Sequence, residues 1–253
     1  MKVFITGASS GIGAALAVHY AARGAQLGLV ARRAEALADV ARTLPGNPAL
    51  YNADVADAEA MAGAARDFMA RFDVPDIVIA NAGISVGTLT EHAEDIGAFG
   101  RVLQTNVVGM AATFQPFIAP MRMARRGRLA GIASVAGVRG IPGAGAYSAS
   151  KAAAITYLEA LRIELRQSGV KVVTVCPGYV ATPMTAVNNY RMPFILPANV
   201  AARRIARVID NGRAYAVVPW PMAIVARAMC LLPNAAYDRL FRRAGRKPRG
   251  LKL

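Results

Sequence analysis

A short β-branched and aromatic run, Lys2-Val-Phe-Ile-Thr6, passes straight into Gly7-Ala-Ser-Ser-Gly11-Ile-Gly13 and then into an apolar helical stretch over 14–22, ended by Arg23-Gly24. A buried strand that feeds a helix through glycines leaves few folds open. Gly7 permits the tight turn, Gly11 lets backbone approach an anion, and Gly13 lets the helix pack closely on the strand. The helix start offers free N–H groups and the positive end of its dipole, with Ser9, Ser10 and Ile12 on the same approach. A phosphate group is the expected ligand of this device.

The next residues repeat the unit. A strand over 26–31 ends in Arg32-Arg33, a helix over 35–43 leads to a strand over 49–52, and Asp54-Val55 follow. Asp57 is the expected N-cap of a helix over 57–72, and a strand over 76–80 ends in Asn81-Ala82-Gly83. Alternating strands and helices predict a parallel sheet with crossovers on both faces. Ligands of such sheets bind beyond the carboxyl ends of the strands, where Gly7, Arg32, Asp54 and Asn81 all fall. A carboxylate after the second strand would hold the ribose 2′-hydroxyl of NAD, whereas arginine suits the 2′-phosphate of NADP. Arg32 and Arg33 therefore favour NADP(H), with NAD(H) as the alternative.

A hydroxyl, a phenol and an ammonium follow at Ser134, Tyr147 and Lys151. Ser148 onward reads as a helix with an apolar face of Ile155, Leu158, Leu161, Ile163 and Leu165. Tyr147 and Lys151 are four residues apart, one turn from each other. A nearby ammonium favours the phenolate and lowers its pKa from about 10, which makes a proton donor and acceptor.

These motifs together resemble the classical short-chain dehydrogenase/reductase family over about residues 2–219. Thr6-Gly-Ala-Ser-Ser-Gly-Ile-Gly13 is similar to its cofactor loop, and Asn81-Ala-Gly83 to the element beside the adenine. The segments around Asn106, Ser134, Tyr147 and Lys151 resemble its catalytic set, and Pro177-Gly178 with Val180 and Thr182 its second cofactor loop. The resemblance implies a Rossmann-like, doubly wound, predominantly parallel seven-stranded sheet with helices on both faces. It implies hydride transfer between a nicotinamide and a carbonyl or alcohol. Ser134 would polarise the carbonyl, Tyr147 act as general acid/base, Lys151 tune the phenol and hold ribose hydroxyls, and Asn106 hold a proton-relay water. A mobile lid over 182–197 would carry Met184, Met192, Phe194, Ile195 and Leu196. A homodimer or homotetramer joined through the helices near 95–121 and 148–168 is also implied.

The 253 residues are 55% hydrophobic, enough for one large α/β domain, expected over 1–220 with a C-terminal extension of the same domain over 221–253. That extension reads as an apolar helix, a second helix through Tyr237, Leu240 and Phe241, and a basic tail with seven Lys+Arg and no acid over 239–253. It suits either a cover over the substrate pocket or interface, with a solvated tail, or peripheral contact with anionic lipid. Both point to a hydrophobic, acyl- or lipid-like substrate. The net charge of +15 is uneven: residues 1–120 carry 8 Lys+Arg against 11 Asp+Glu, and residues 121–253 carry 22 against 4. Without aromatic clusters or a nucleic-acid motif, the charge does not predict a nucleic-acid partner. Cys176 and Cys230 are expected as buried free thiols in a reducing compartment. With only two histidines, no metal site is expected. The stretch over 102–121 is expected as a core or interface helix, and no signal peptide is expected, so the location is cytoplasmic, with membrane association at the cytoplasmic face as the alternative. The rival to catalysis is a nucleotide-bound regulatory or binding protein, which has no need of all four catalytic residues.

Overall fold

The computed structural model describes residues 1–242 and 244–251, so Arg243, Lys252 and Leu253 of the expected basic tail lie outside the described residues. Seven strands form one parallel sheet: β1 (Lys2–Thr6), β2 (Gln26–Ala31), β3 (Ala49–Asn52), β4 (Ile77–Ala80), β5 (Arg128–Ile132), β6 (Lys171–Pro177) and, after the small pair β7 (Val180–Ala181) and β8 (Leu196–Pro197), β9 (Tyr215–Val218). Their order is β3-β2-β1-β4-β5-β6-β9. The order reverses between β1 and β4, which opens a crevice at the carboxyl edge.

Alternation along each strand supplies both faces of the core. Val3 and Ile5 point to one side with Leu29, Ile77, Ile79 and Val175, under α1 (Gly11–Ala21), α2 (Ala34–Arg42) and, near the end of the chain, α8 (Ala198–Asp210). Phe4 and Val78 point to the other side, under α3 (Ala58–Phe72), α5 (Gly109–Met123) and α6 (Gly145–Glu164). There Phe4 meets Phe68 edge-on at 5.4 Å and Phe117 at 4.9 Å. Asp57 caps α3 as expected, accepting from Glu59 N and Ala60 N, both at 3.0 Å.

Four local features differ from the sequence expectations. The stretch over 102–121 is not one uniform helix: α4 (Asp95–Leu103) and α5 are joined by a π-helical turn, Gln104–Val108. Helix α6 begins at Gly145, so Tyr147 lies inside its first turn. Cys176 is buried, but Cys230 is exposed, because it sits on the outer side of a helix whose buried residues are Met222, Ala226 and Met229. The tail does not run into solvent; residues 244–251 fold back on the body, with Lys247 buried.

The short α7 (Pro183–Ala186) follows β7, and the C-terminal helices α9 (Trp220–Leu231) and α10 (Asn234–Phe241) are lashed to the segment after β5. The Arg139 guanidinium donates to Met229 O and Leu232 O, both at 2.6 Å, and to Asn234 Oδ1 at 2.8 Å. It also stacks on Tyr237 at 3.9 Å from the ring centroid, and Tyr237 Oη donates to Gly140 O at 2.7 Å. Among the described residues no helix is long and apolar enough to cross a membrane.

Candidate active site

The crevice at the reversal of strand order is a cleft of about 710 Å³. Its first end is built by close backbone approach. Gly7 has φ of 67°, and a Cβ there would stand 2.8 Å from Ala82 Cα. A Cβ at Gly13 would collide with the Gly7 carbonyl, so only glycine lets α1 start this near the strand. Asn81 ties the loop down: Nδ2 donates to Thr6 O at 3.0 Å and Gly7 O at 3.2 Å, while the buried Thr6 Oγ1 accepts from Asn81 N and Ala82 N, both at 3.2 Å.

This end fits a dinucleotide phosphate. Ser10 precedes α1 in extended conformation, its side chain does not cap the helix, and the first turn carries no acidic residue. The N–H groups of that turn are therefore left for a ligand. Arg33 lies over the loop and donates to Ser9 Oγ at 3.3 Å and Ser10 Oγ at 3.2 Å. Arg32 pairs instead with Asp54 at 3.5 Å across the ends of β2 and β3. The two arginines thus have different neighbours, a distinction their adjacency in sequence conceals.

The second end holds the ionisable groups. Ser134 follows β5, and its Oγ accepts from Ala136 N at 3.1 Å. Lys151 is buried and its Nζ donates to Ile132 O at 2.8 Å, 5.7 Å from the Tyr147 ring centroid. Burial pulls the ammonium down to about 8. Burial also raises the Tyr147 phenol above its ordinary value, and the hydrogen bond with Ser134 opposes that rise. Burial is the largest influence on the phenol, and the Lys151 ammonium expected from the sequence is not among the groups that shift it. Asn106 sits in the π turn, wholly buried, with Oδ1 accepting from Ile84 N at 2.8 Å and Nδ2 donating to Ile84 O at 3.0 Å and Ser150 Oγ at 2.9 Å. A Cβ at Gly83 would lie 3.1 Å from Asn106 Oδ1 and 3.5 Å from Lys151 Nζ, so glycine keeps the space between them open.

Gly7, Ser9, Ser10, Gly11, Ile12, Arg32, Arg33, Asp54, Val55, Asn81, Ala82, Gly83, Ser134, Tyr147, Lys151, Pro177, Gly178, Val180 and Thr182 all line this one cleft. Gly13 and Asn106 do not; the first packs α1 on the sheet and the second stands behind the wall. Sequence reasoning missed Ile84, Ser85, Thr105, Ile132 and Ala133. Ile84 and Ser85 directly follow Asn81-Ala-Gly83, and Ile132 and Ala133 end the strand before Ser134, so strand-end position was the available signal.

A doubly wound sheet with a phosphate loop at its switch point defines the class of Rossmann-like nucleotide-binding proteins. The family model described as short chain dehydrogenase matches residues 1–192. An uncharacterized oxidoreductase of Myxococcus xanthus is 37% identical over 242 residues, covering 94% of this chain and 95% of that one. The 11-beta-hydroxysteroid dehydrogenase-like 3 of Arabidopsis thaliana is 36% identical, covering 86% and 72%. The cis-4-hydroxycyclohexanecarboxylate dehydrogenase of Sinomonas cyclohexanicum is 34% identical, covering 84% and 86%. Among solved structures, levodione reductase superposes with a TM-score of 0.76 at 25% identity, covering 86% of this chain and 95% of that one. The chain belongs to the short-chain dehydrogenase family and is an oxidoreductase. Members of that family use NAD(P)(H), act on small molecules and form oligomers.

The buried Lys151 gives a pH signature. Its folded pKa of about 8 lies below the ordinary 10.5. Between those values the unfolded chain binds the proton more tightly, so stability rises with pH; below about pH 8 the cost of burying the charge is fully present. Lys247, also lowered to about 8, follows the same course. Urea unfolding of wild type and Lys151→Met from about pH 7 to about pH 10 isolates Lys151. The stability difference should change across that window; a constant difference would show that Lys151 is not desolvated.

Proposed function

We propose that the chain is an NADP(H)-dependent oxidoreductase that moves hydride between the nicotinamide and a carbonyl or secondary alcohol of a hydrophobic, acyl- or lipid-like substrate. The carrying observation is that Ser134, Tyr147 and Lys151 share one cleft with the glycine loop and Arg33. Gly7–Ile12, with Asn81, Ala82, Gly83, Pro177, Gly178, Val180 and Thr182, would hold the dinucleotide, and Asp54 and Val55 would flank its adenine end. Bound there, the cofactor supplies or accepts the hydride.

The residues of the chain handle the oxygen and its proton. The Ser134 hydroxyl hydrogen-bonds the carbonyl and steadies developing negative charge. Tyr147 gives its proton to that oxygen, or takes it back in oxidation. Lys151 has further N–H donors beyond the one on Ile132 O, and these would hold the ribose hydroxyls and bias Tyr147 toward phenolate against its burial. Asn106 has both amide protons engaged and Oδ1 already accepts from Ile84 N, so the second lone pair of Oδ1 would receive a relay water, in the space Gly83 leaves open beside Lys151.

The names of two similar proteins specify ring alcohols, a hydroxysteroid and a hydroxycyclohexanecarboxylate, in keeping with a hydrophobic alcohol or ketone. The exposed Met184, Phe194 and Ile195 of the lid agree with such a substrate. The intact four-residue set weighs against a non-catalytic nucleotide-bound protein. Exposed Ile96, Val108, Met123 and Ile163 favour a homodimer or homotetramer through α4–α5 and α6.

A second reading, peripheral contact with anionic lipid from a cytoplasmic location, rests on the exposed Trp220, Ile224 and Leu231 along α9 and Leu240 on α10, beside Arg227 and Arg239. The folded-back tail contributes less to it than the sequence suggested.

Tyr147→Phe should lower kcat by at least about 1000-fold with the dissociation constant for NADPH nearly unchanged. Retention of most turnover would overturn the tyrosine's role. Arg33→Ala should raise KM for NADPH by about tenfold or more and leave KM for NADH almost unmoved, with Arg32→Ala weaker because Asp54 shares it. Equal effects on both cofactors would dismiss the 2′-phosphate assignment. For the lipid reading, co-sedimentation with phosphatidylserine vesicles should fall on Trp220→Glu; binding unaffected by that change would end it.

A further inference from the structure

Residues 244–251 fold back onto the lid, the loop at Gly87 and α4. Lys247 is buried and its Nζ donates to Met184 O at 2.8 Å, tying the returning chain to the lid. Gly87 N donates to Pro248 O at 2.9 Å, and a side chain at Gly87 would collide with the carbonyls of Lys247 and Pro248. Arg249 then forks onto α4, with Nε donating to Asp95 Oδ2 at 2.7 Å and its terminal nitrogen to Glu94 Oε1 at 3.0 Å. Leu251 packs beside the buried cluster of Val86, Val102 and Ala146.

The inner side of the strap meets the lid and the loop before Tyr147. Gly245 lies against the Tyr190 ring so closely that a Cβ would overlap Tyr190 Cβ and Cγ, and the Arg246 stem crosses Gly143. Tyr190 meets Tyr179 edge-on at 6.4 Å, and burial, then the phenols of Tyr179 and Tyr147, push its own phenol up to about 12. The strap thus joins three segments that border the cleft at Ile84 and Ser85, at Tyr147, and at Met184.

We propose that residues 244–251 are the outer wall of the substrate end of the cleft. They hold the lid against the Gly87 and Gly143 loops, pin Tyr190 of the lid through Gly245, and so limit the size of carbonyl compound the site admits. The size role rests on the carbonyl reading above; the hold on the lid does not. A short segment held by few bonds opens at low cost compared with the sheet, so the wall can part while the catalytic groups stay in place. Gly245, Lys247 and Arg249 are positioning residues in this scheme, acting through Tyr190, Met184 and α4.

The test uses the full chain, Gly245→Val, and a chain ending at residue 243, which keeps α9 and α10. Amide exchange over residues 182–196 should quicken in both variants while the dissociation constant for NADPH stays unchanged. The ratio of kcat/KM for a fused four-ring ketone to that for a single-ring ketone should rise by roughly tenfold, through KM for the larger ketone, with kcat for the smaller one nearly constant. Exchange needs no turnover, so unchanged lid exchange sinks the strap whatever the ketones show. A loosened lid with an unchanged ratio overturns the size role. A loosened lid in a protein that reduces neither ketone, before or after the change, overturns the carbonyl reading and the size role together.

Discussion

The close contact of Gly13 with the Gly7 carbonyl, bridged by the Asn81 amide, is the constraint on which the cleft depends. It places the start of α1 directly beyond β1, so the N–H groups of the first turn face the gap where the strand order reverses. Neither contact tolerates a side chain, and the bonds from Asn81 and Thr6 replace what a packed side chain would otherwise contribute. The loop is therefore rigid without being filled. A site for a charged, extended ligand needs that combination, since a flexible loop would lose entropy on binding and a filled one would exclude the ligand.

At the other end of the cleft the governing term is desolvation. Lys151 is buried beside a carbonyl, with no carboxylate among its described hydrogen-bond partners, and Tyr147 is half-buried beside Ser134. Both groups are pushed toward their neutral forms, so their pKa values, which nearly coincide in water, move apart: the ammonium is lowered to about 8 and the phenol is raised. The π turn serves the same end by turning Asn106 inward from a helix that otherwise runs on from α4 to α5.

Much of this was legible in the residue pattern. The strand–glycine–helix opening, the arginines after β2, and the order of Asn81, Ser134, Tyr147 and Lys151 bring these residues to one cleft, because those features follow strand ends and helix turns. Two site features were not legible. The π turn at Gln104–Val108 has no composition of its own; it differs from α-helix by one residue in a hydrogen-bond ladder. The burial of Lys151, which lowers its ammonium to about 8, depends on how much chain covers it, which spacing between two residues does not carry. Cys230 failed for a related reason: its neighbours are apolar, but the helix turns it outward.

The tail was the deepest misreading, and its cause is general. Basic residues without acids nearby in sequence read as a solvated or lipid-seeking run, yet the partners of Lys247 and Arg249 are Met184 O, Asp95 and Glu94, between 63 and 155 residues away. Local pattern reports the periodic elements of the first half, which hold a ligand common to a whole family. The substrate wall is built from aperiodic segments drawn from the lid, two loops and the chain's end. Each is free to change without disturbing the sheet, and the same freedom from periodicity hides their contacts from a sequence reading. Selectivity can therefore diverge on this frame while the Gly7–Gly13 contact and the buried pair stay as they are.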